Sequence, residues 1–454
     1  MKTTASRMFA LLAPLGALAT PAHAGVLSAN EIFSQFNAVV FGNFSSTSDV
    51  EGRSVVGGNL TGGASFDIKP ANVAASSFSG LTVYGNATGG GNYNVNNGSG
   101  VTIAGFNTVS FSLNGGGSAY VGGANTGNLS LQNGTGSVTV GGANGGTLLI
   151  GQGGSVFIGA ANGGAINANG SASVAINGNN TANITMNGGG SVAVNGNNSG
   201  TISLNGGTLT YTGKQTGNLN GGGKAIQTAS LNLAAPTSTL PSFANTFQAP
   251  LTNLSKQLDA LAANSIATSS NNAVTFNAKP DSTRTAVFDI DSSVLKPNST
   301  VTINLDGATS VIINVVVDGC VAATCVFSLP NSVNFANPTG YASSVLWNFV
   351  NATGLTFPNE IGGSVLAPLA AVTNNAPIDG TLVADSYSGN GELHSHPYTG
   401  TLPDGTAAPV AGALPASSAN SLPVPEPGSL ILLAFGLAAL GAARRRAFAA
   451  TCRR

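Results

Sequence analysis

Five side chains able to do acid–base or metal chemistry lie close together late in the chain: Asp379, Asp385, Glu392, His394 and His396. If His394-Ser395-His396 is a strand, both imidazoles and Glu392 project from one face, because side chains alternate along a β-strand. Two histidines and a carboxylate suit zinc, so Glu392, His394 and His396 form a candidate metal set. The competing reading, and the favoured one, is a hydrogen-bonded cap that closes one end of a larger β-structure. A serine-rich chain offers no specific Asp-His-Ser triad. The chain is therefore read as non-enzymatic and without a cofactor. The alternative is a polysaccharide-acting β-helix enzyme with Asp379, Glu392 and His394 in a groove.

The elements that must position this cluster are set by residues 117–213. The motif Ser-Val-x-Val recurs, in variants, from Ser118, Ser137, Ser155, Ser173 and Ser191, and Thr208-Leu209-Thr210-Tyr211 follows. A second apolar series lies between: Leu129–Leu131, Leu148–Ile150, Ile166–Ala168, Ile184–Met186 and Ile202–Leu204. Two short strands per fixed period, with Gly/Asn turns between, are the signature of a solenoid. Three-residue strands cannot bury an apolar face alone, so each coil stacks on the next. Alternation sends Val138 and Val140 inward and Ser137 and Thr139 outward. Corners such as Gly141-Gly142 and Asn195-Gly196 are expected to need positive φ, and stacked Asn side chains to form ladders along the corners. A disordered Gly/Asn linker is the other reading of such composition, but the β-branched residues recur in register.

Between Lys69 and Lys214 there is no Asp, Glu, Lys or Arg. This excludes a calcium-binding β-roll, which needs an acid in each turn, and a basic nucleic-acid stripe. The body is sparsely charged and mildly acidic, with no reason to bind nucleic acid or an anionic membrane. The coils are expected to begin near Glu51.

Beyond Gly223 the pattern changes. Phe247, Leu251, Leu254, Leu258 and Leu261 mark an amphipathic helix over about 243–264, expected to lie along the solenoid, with Pro250 in its first turn or splitting off a preceding one. Strand patterns resume over 286–400, either as further coils or as a mixed sheet. Cys320 and Cys325 bracket a tight loop, and in an oxidising compartment a disulfide is expected there.

Lys2 and Arg7 precede the apolar run Met8–Ala19, and Ala22-His23-Ala24 supplies a small-x-small site; residues 1–24 read as a signal peptide with Gly25 the first mature residue. At the other end a Pro/Ala/Ser linker, 403–423, leads to Pro425-Glu426-Pro427, the apolar run Leu430–Ala443 and Arg444-Arg445-Arg446. Fourteen residues are short for a spanning helix, which takes ~20, so membrane contact through 430–443 is expected to be transient. Residues 424–454 closely resemble the PEP-CTERM sorting signal of Gram-negative bacteria. That resemblance implies export, cleavage by an exosortase-type enzyme near the Pro-Glu-Pro motif, and residence at the cell surface or in the matrix.

The body has a resemblance of its own. Phe36–Phe44, Asp49–Arg53 and Gly57-Gly58-Asn59 at the front, with Leu346–Thr353, Gly363–Pro368, Ile378–Thr381, Glu392–His394 and Pro397–Gly400 at the back, are similar to the choice-of-anchor A family of adhesive domains. It implies that 25–402 is one domain with an adhesive role, without naming a ligand. The layout also resembles ice-binding β-solenoids. Yet the outward positions Thr139, Phe157, Ala175, Ala193 and Thr210, and Ser130, Leu149, Asn167, Thr185 and Ser203, are not threonine ladders. Among the regular coils, Phe157 and Tyr211 are the aromatic candidates for stacking on a sugar.

The reading is thus a mainly β protein: a β-solenoid with one long helix alongside and additional C-terminal strands. It is expected to act as an exported adhesive or structural protein, with exopolysaccharide or a cell surface as partner. Open solenoid ends would also permit self-assembly.

Overall fold

The computed structural model describes residues 27–405, apart from 71, 132, 133, 237, 322, 323 and 404. The signal segment with Ala22, Ala24 and Gly25, and the tail with Pro425, Glu426, Pro427, the run 430–443 and Arg444–Arg446, lie outside the described residues. Among the described residues no helix is long and apolar enough to cross a membrane.

The solenoid is present and its strands are parallel and in register, but its order along the axis differs from its order in sequence. Ala38–Val40 pairs on one side with Ser54–Val56 and on the other with Leu382–Ala384. From this seam the N-terminal coils extend one way, through Leu81–Val83 and Ala119–Val121 to the last strand, Lys224–Gln227. The C-terminal coils extend the other way, through 364–374, 345–349 and 310–316 to Thr285–Asp291. The described chain therefore enters its solenoid part-way along, at Ala38 rather than near Glu51. The C-terminal strands prolong the same sheet. Apart from the antiparallel hairpin Ile266–Ser270/Ala273–Asn277, they are parallel.

A second sheet runs beside the first and crosses the seam at Val50, which bridges Phe66 on one side and Leu393 on the other. The core between the sheets is a file of Val, Leu, Ile and Phe, with Val138, Val140, Leu148 and Ile166 fully buried. Where the regular coils begin, the third side changes its lining. Aromatic contacts such as Phe44–Tyr387, 4.9 Å between ring centres, give way to asparagines. Asn107, Asn125, Asn144, Asn162, Asn180 and Asn198 are buried and donate amide to carbonyl, each to the next coil, at 2.6–2.9 Å, ending on Gln215. Each Nδ2 also bonds the backbone oxygen two residues on, so the amide closes the corner and links the coils at once.

Glycine is needed at the corners for a reason other than the expected one. Gly141, Gly142 and Gly196 do not have positive φ; space limits them instead, since a Cβ on Gly142 would stand 2.8 Å from the Ala124 nitrogen. Positive φ falls at the opposite corner, for example at Gly153 and Gly170.

The long helix comprises a π-helical turn, Ala244–Gln248, and α2, Ala249–Asp259, with Pro250 at the start of the α-helical part. It ends earlier than the expected 264. Phe247, Leu251, Leu254 and Leu258 pack on the outer face of the first sheet at the seam, over Val39, Leu346, Leu366 and Val383, together with α1 (Ala29–Gln35). Outward Asn314 and Asn348 donate to the Leu258 and Ser255 carbonyls, which holds α2 in place. Residues 228–242 connect the last coil to this helix, and apart from 237 they have no regular structure. Phe243 packs on Tyr84, beside Leu81–Val83. Eight strand pairings separate that strand from Lys224–Gln227, roughly 38 Å at ~4.8 Å per step. A stretch of this length reaches at most about 50 Å, so it must run as an extended strap along the solenoid. At its far end Phe243 lies on the outer face of the first sheet, against Phe41 and Tyr84. On that face Thr139, Phe157 and Ala175 point away from the core yet are only 6%, 3% and 3% exposed, so Phe157 is not available for stacking. Cys320 and Cys325 form the expected disulfide.

Replacing Asn144 by Ala should lower stability by about 2–4 kcal/mol, since three buried hydrogen-bonding groups lose their partner. Replacing the exposed Asn187, which bonds Asn169 on the outside, should cost no more than about 0.5 kcal/mol. Urea unfolding of the two variants separates these outcomes.

Candidate functional site

The cluster near the C-terminus is built at the seam, not at an end of the solenoid. Ile361-Gly362, Ile378-Asp379 and Leu393-His394 are successive short strands of the second sheet, and Leu393 bridges to Val50. Register sets Asp379 against His394. Asp379 is fully buried, and its Oδ1 lies 2.6 Å from His394 Nδ1; Glu392 Oε2 lies 3.0 Å from His394 Nε2. The contact with Asp379, reinforced by Glu392, raises the His394 pKa to about 9 despite partial burial. His394 is thus an imidazolium held between two carboxylates. Burial works to raise the Asp379 pKa, but hydrogen bonds from His394 and Glu360 outweigh it and leave the carboxyl below its usual range. The Glu360 pKa is raised, first by burial and then by the neighbouring Asp379.

Both ring nitrogens of His394 are committed to carboxylates, and Asp379 does not reach solvent. His396 and Asp385 stand outside the hydrogen-bonded set; Asp385 belongs to a strand of the other sheet. Among the described residues no three of His, Cys, Asp and Glu are grouped so that they could hold a metal ion.

What the cluster does is join two coils, with the help of residues that reasoning about acid–base chemistry passed over. Asn37 donates to the Gly380 and His394 carbonyls and accepts from the Gly52 N–H. A Cβ on Gly52 would lie 2.8 Å from Asn37 Cβ, so glycine is required for this approach. Glu51 accepts from the Ser395 N–H at 2.9 Å and pairs with Lys69 at 3.2 Å. A 15-residue step from Asp379 to His394, close to one coil, was the available signal that the two meet.

A second feature lies on the solenoid's third side. Register places Ser328, Thr356, Thr373, Ser388, Ser45 and Thr61 in one outward file. Beyond the seam the file continues, one residue after each bridge position, as Thr88, Thr108, Thr126, Gly145, Gly163, Thr181, Ser199 and Thr216. Most of these are exposed and the rest half-buried. Several threonine hydroxyls donate inward to a carbonyl of the preceding coil, as Thr126 does to Asn107 at 3.5 Å and Thr181 to Asn162 at 3.3 Å. The file thereby presents methyl groups and oxygen lone pairs outward.

These features define an extended β-solenoid whose polar chemistry is distributed along a face and not concentrated in a pocket. Residues 29–156 and 117–395 match the family described as "Putative Ice-binding-like adhesive domain", and the chain belongs to that family. The two matches overlap within the regular coils, where one coil is interchangeable with the next. Residues 423–446 match the PEP-CTERM protein-sorting motif, which implies export to the surface of a Gram-negative cell and processing by an exosortase-type enzyme. Comparison with curated proteins gives no match. Among solved structures, the tapirin C-terminal domain of Caldicellulosiruptor kristjanssonii is similar at 13% identity, covering 81% of this chain and 94% of that one, with a TM-score of 0.22.

The ion triad makes stability depend on pH. The raised pKa of His394 means that its contribution is complete below about 6.5 and is lost as pH rises through about 9. The lowered pKa of Asp379 means that its contribution is complete above the ordinary aspartate value and falls away in acid. Melting temperature should therefore decline from pH 6.5 to 9. In His394→Gln that decline should be absent, with the melting temperature already low at pH 6.

Proposed function

We propose that this protein is a non-catalytic adhesin that associates with exopolysaccharide at the cell surface or in the extracellular matrix, and that it belongs to the choice-of-anchor A group of such domains. The observation that carries this reading is the Ser/Thr file. Because threonine hydroxyls in it donate inward, what they offer outward is acceptors, and a partner rich in hydroxyl donors suits them. Interleaved methyl groups suit the C–H surfaces of a sugar ring. Each contact is weak, but in-register repetition at ~4.8 Å lets many act on one polymer, so that retention rises by avidity. The closed geometry around His394 supports a binding role over turnover.

The test is retention of the mature chain on extracellular polysaccharide from the producing cells, with and without EDTA, while released sugar is followed. Retention that survives EDTA without sugar release is expected. Replacing Thr126 and Thr181 by Lys should weaken retention about tenfold or more, because bulky charge interrupts the file. Sugar release, or retention unchanged in that variant, would overturn the reading. The same file favours one other reading, ordering of water at an ice surface, although Gly145 and Gly163 interrupt it; thermal hysteresis would reveal that activity.

A further inference from the structure

The two ends of the solenoid are finished differently. At the end formed by Thr285–Asp291, Asn264 closes the strand: its N–H and that of Ser265 donate to the Val287 carbonyl, its Oδ1 accepts from the Val287 N–H, and its Nδ2 donates to the Thr285 carbonyl. At the other end nothing comparable follows Lys224–Gln227. All four of its residues are exposed, including Ile226 at 50%, and the chain leaves as the strap.

The free edge has a specific register. Lys224 and Thr228 donate their N–H groups to Gly207 and Tyr211 of the preceding coil, both at 2.9 Å. By alternation, the N–H and C=O groups of Ala225 and Gln227 point away from the protein. We propose that this edge pairs with the same edge of a second copy, antiparallel about a two-fold axis at Ile226. In that register Ala225 of each copy faces Gln227 of the other as a hydrogen-bonded pair, giving four backbone bonds. Ile226 meets its own counterpart in the closely spaced pair between them. Centring on Ala225 instead would use only one hydrogen-bonded pair. Because the contact is isologous, it uses up this edge in both copies and closes at two.

Charge sets the conditions. Lys214 and Lys224 are the first charged residues after Lys69, they stand on the last two successive levels of this end, and neither makes an ion pair with a described residue. The pairing sets Lys224 opposite Thr228 and not opposite another lysine, yet it brings four cations near one boundary. The dimer therefore forms weakly at low ionic strength and is promoted by salt, which screens like charges.

Sedimentation velocity on the mature chain across a NaCl series tests this. Dimerisation should tighten about tenfold from low to high salt, and Lys224→Ser should dimerise at low salt. Ala225→Pro removes an N–H that faces outward, so the intramolecular ladder survives while the dimer is lost. Ile226→Asp, which sets two carboxylates against each other, should also be monomeric, with circular dichroism showing that both variants are folded. The proposal fails if both variants still dimerise, if wild type and Lys224→Ser stay monomeric at high salt, or if growth continues past two copies.

Discussion

The parallel pairing of Ala38–Val40 with Leu382–Ala384 is the constraint on which the architecture depends. It closes a loop of most of the domain, places both ends of the described chain at the seam, and leaves the strap and α2 to carry the chain from one end of the solenoid back toward the other. Loop closure entropy grows only with the logarithm of length, about 0.6 kcal/mol per doubling. Extra coils added between the two halves of the seam therefore cost the closure almost nothing, while each brings its own stacking energy. This explains how an even array such as 117–213 can lengthen without disturbing Asn37, Asp379 or His394.

The same stacking explains why the array is uncharged. In a register of identical coils, a charged side chain would face its own kind at ~4.8 Å at every step. Two like charges at that distance repel by about 1 kcal/mol even in water, and far more where solvent is excluded. Amides have the opposite property: each is donor and acceptor at once, so a file of asparagines is self-complementary at any length. That is why the buried third side can pass from aromatic rings to Asn107–Asn198 without leaving a polar group unpaired along the ladder. Charge returns only where the repetition ends or is broken, as at Lys214, Lys224 and the seam.

Periodicity made the local structure legible. The two strand series, the inward Val and Leu positions, the helix and the Cys320–Cys325 bridge all follow from spacing, and all are found. The order of coils along the axis did not follow, because a period reveals what lies one coil away and nothing about where the first coil docks. Ala38–Val40 carried a hint, since all three residues are apolar and all three are buried, as in a strand packed on both faces. The cap reading of the His394 cluster had the chemistry right and the place wrong for the same reason. The Ser/Thr file was hidden more deeply: it joins residue 388 to residue 45, a step that exists only once the seam is known.

The seam also bears on how the domain is presented. Asn30, in α1, exchanges two hydrogen bonds with the Leu402 backbone, so the described chain begins and ends at the same point, beside α2 at the seam. The face at that point is already occupied by α1 and α2. The Ser/Thr file lies on a different side and runs across the seam without interruption. Lengthening the array then extends the Ser/Thr file at one end only, while the seam and the coils beyond it stay as they are.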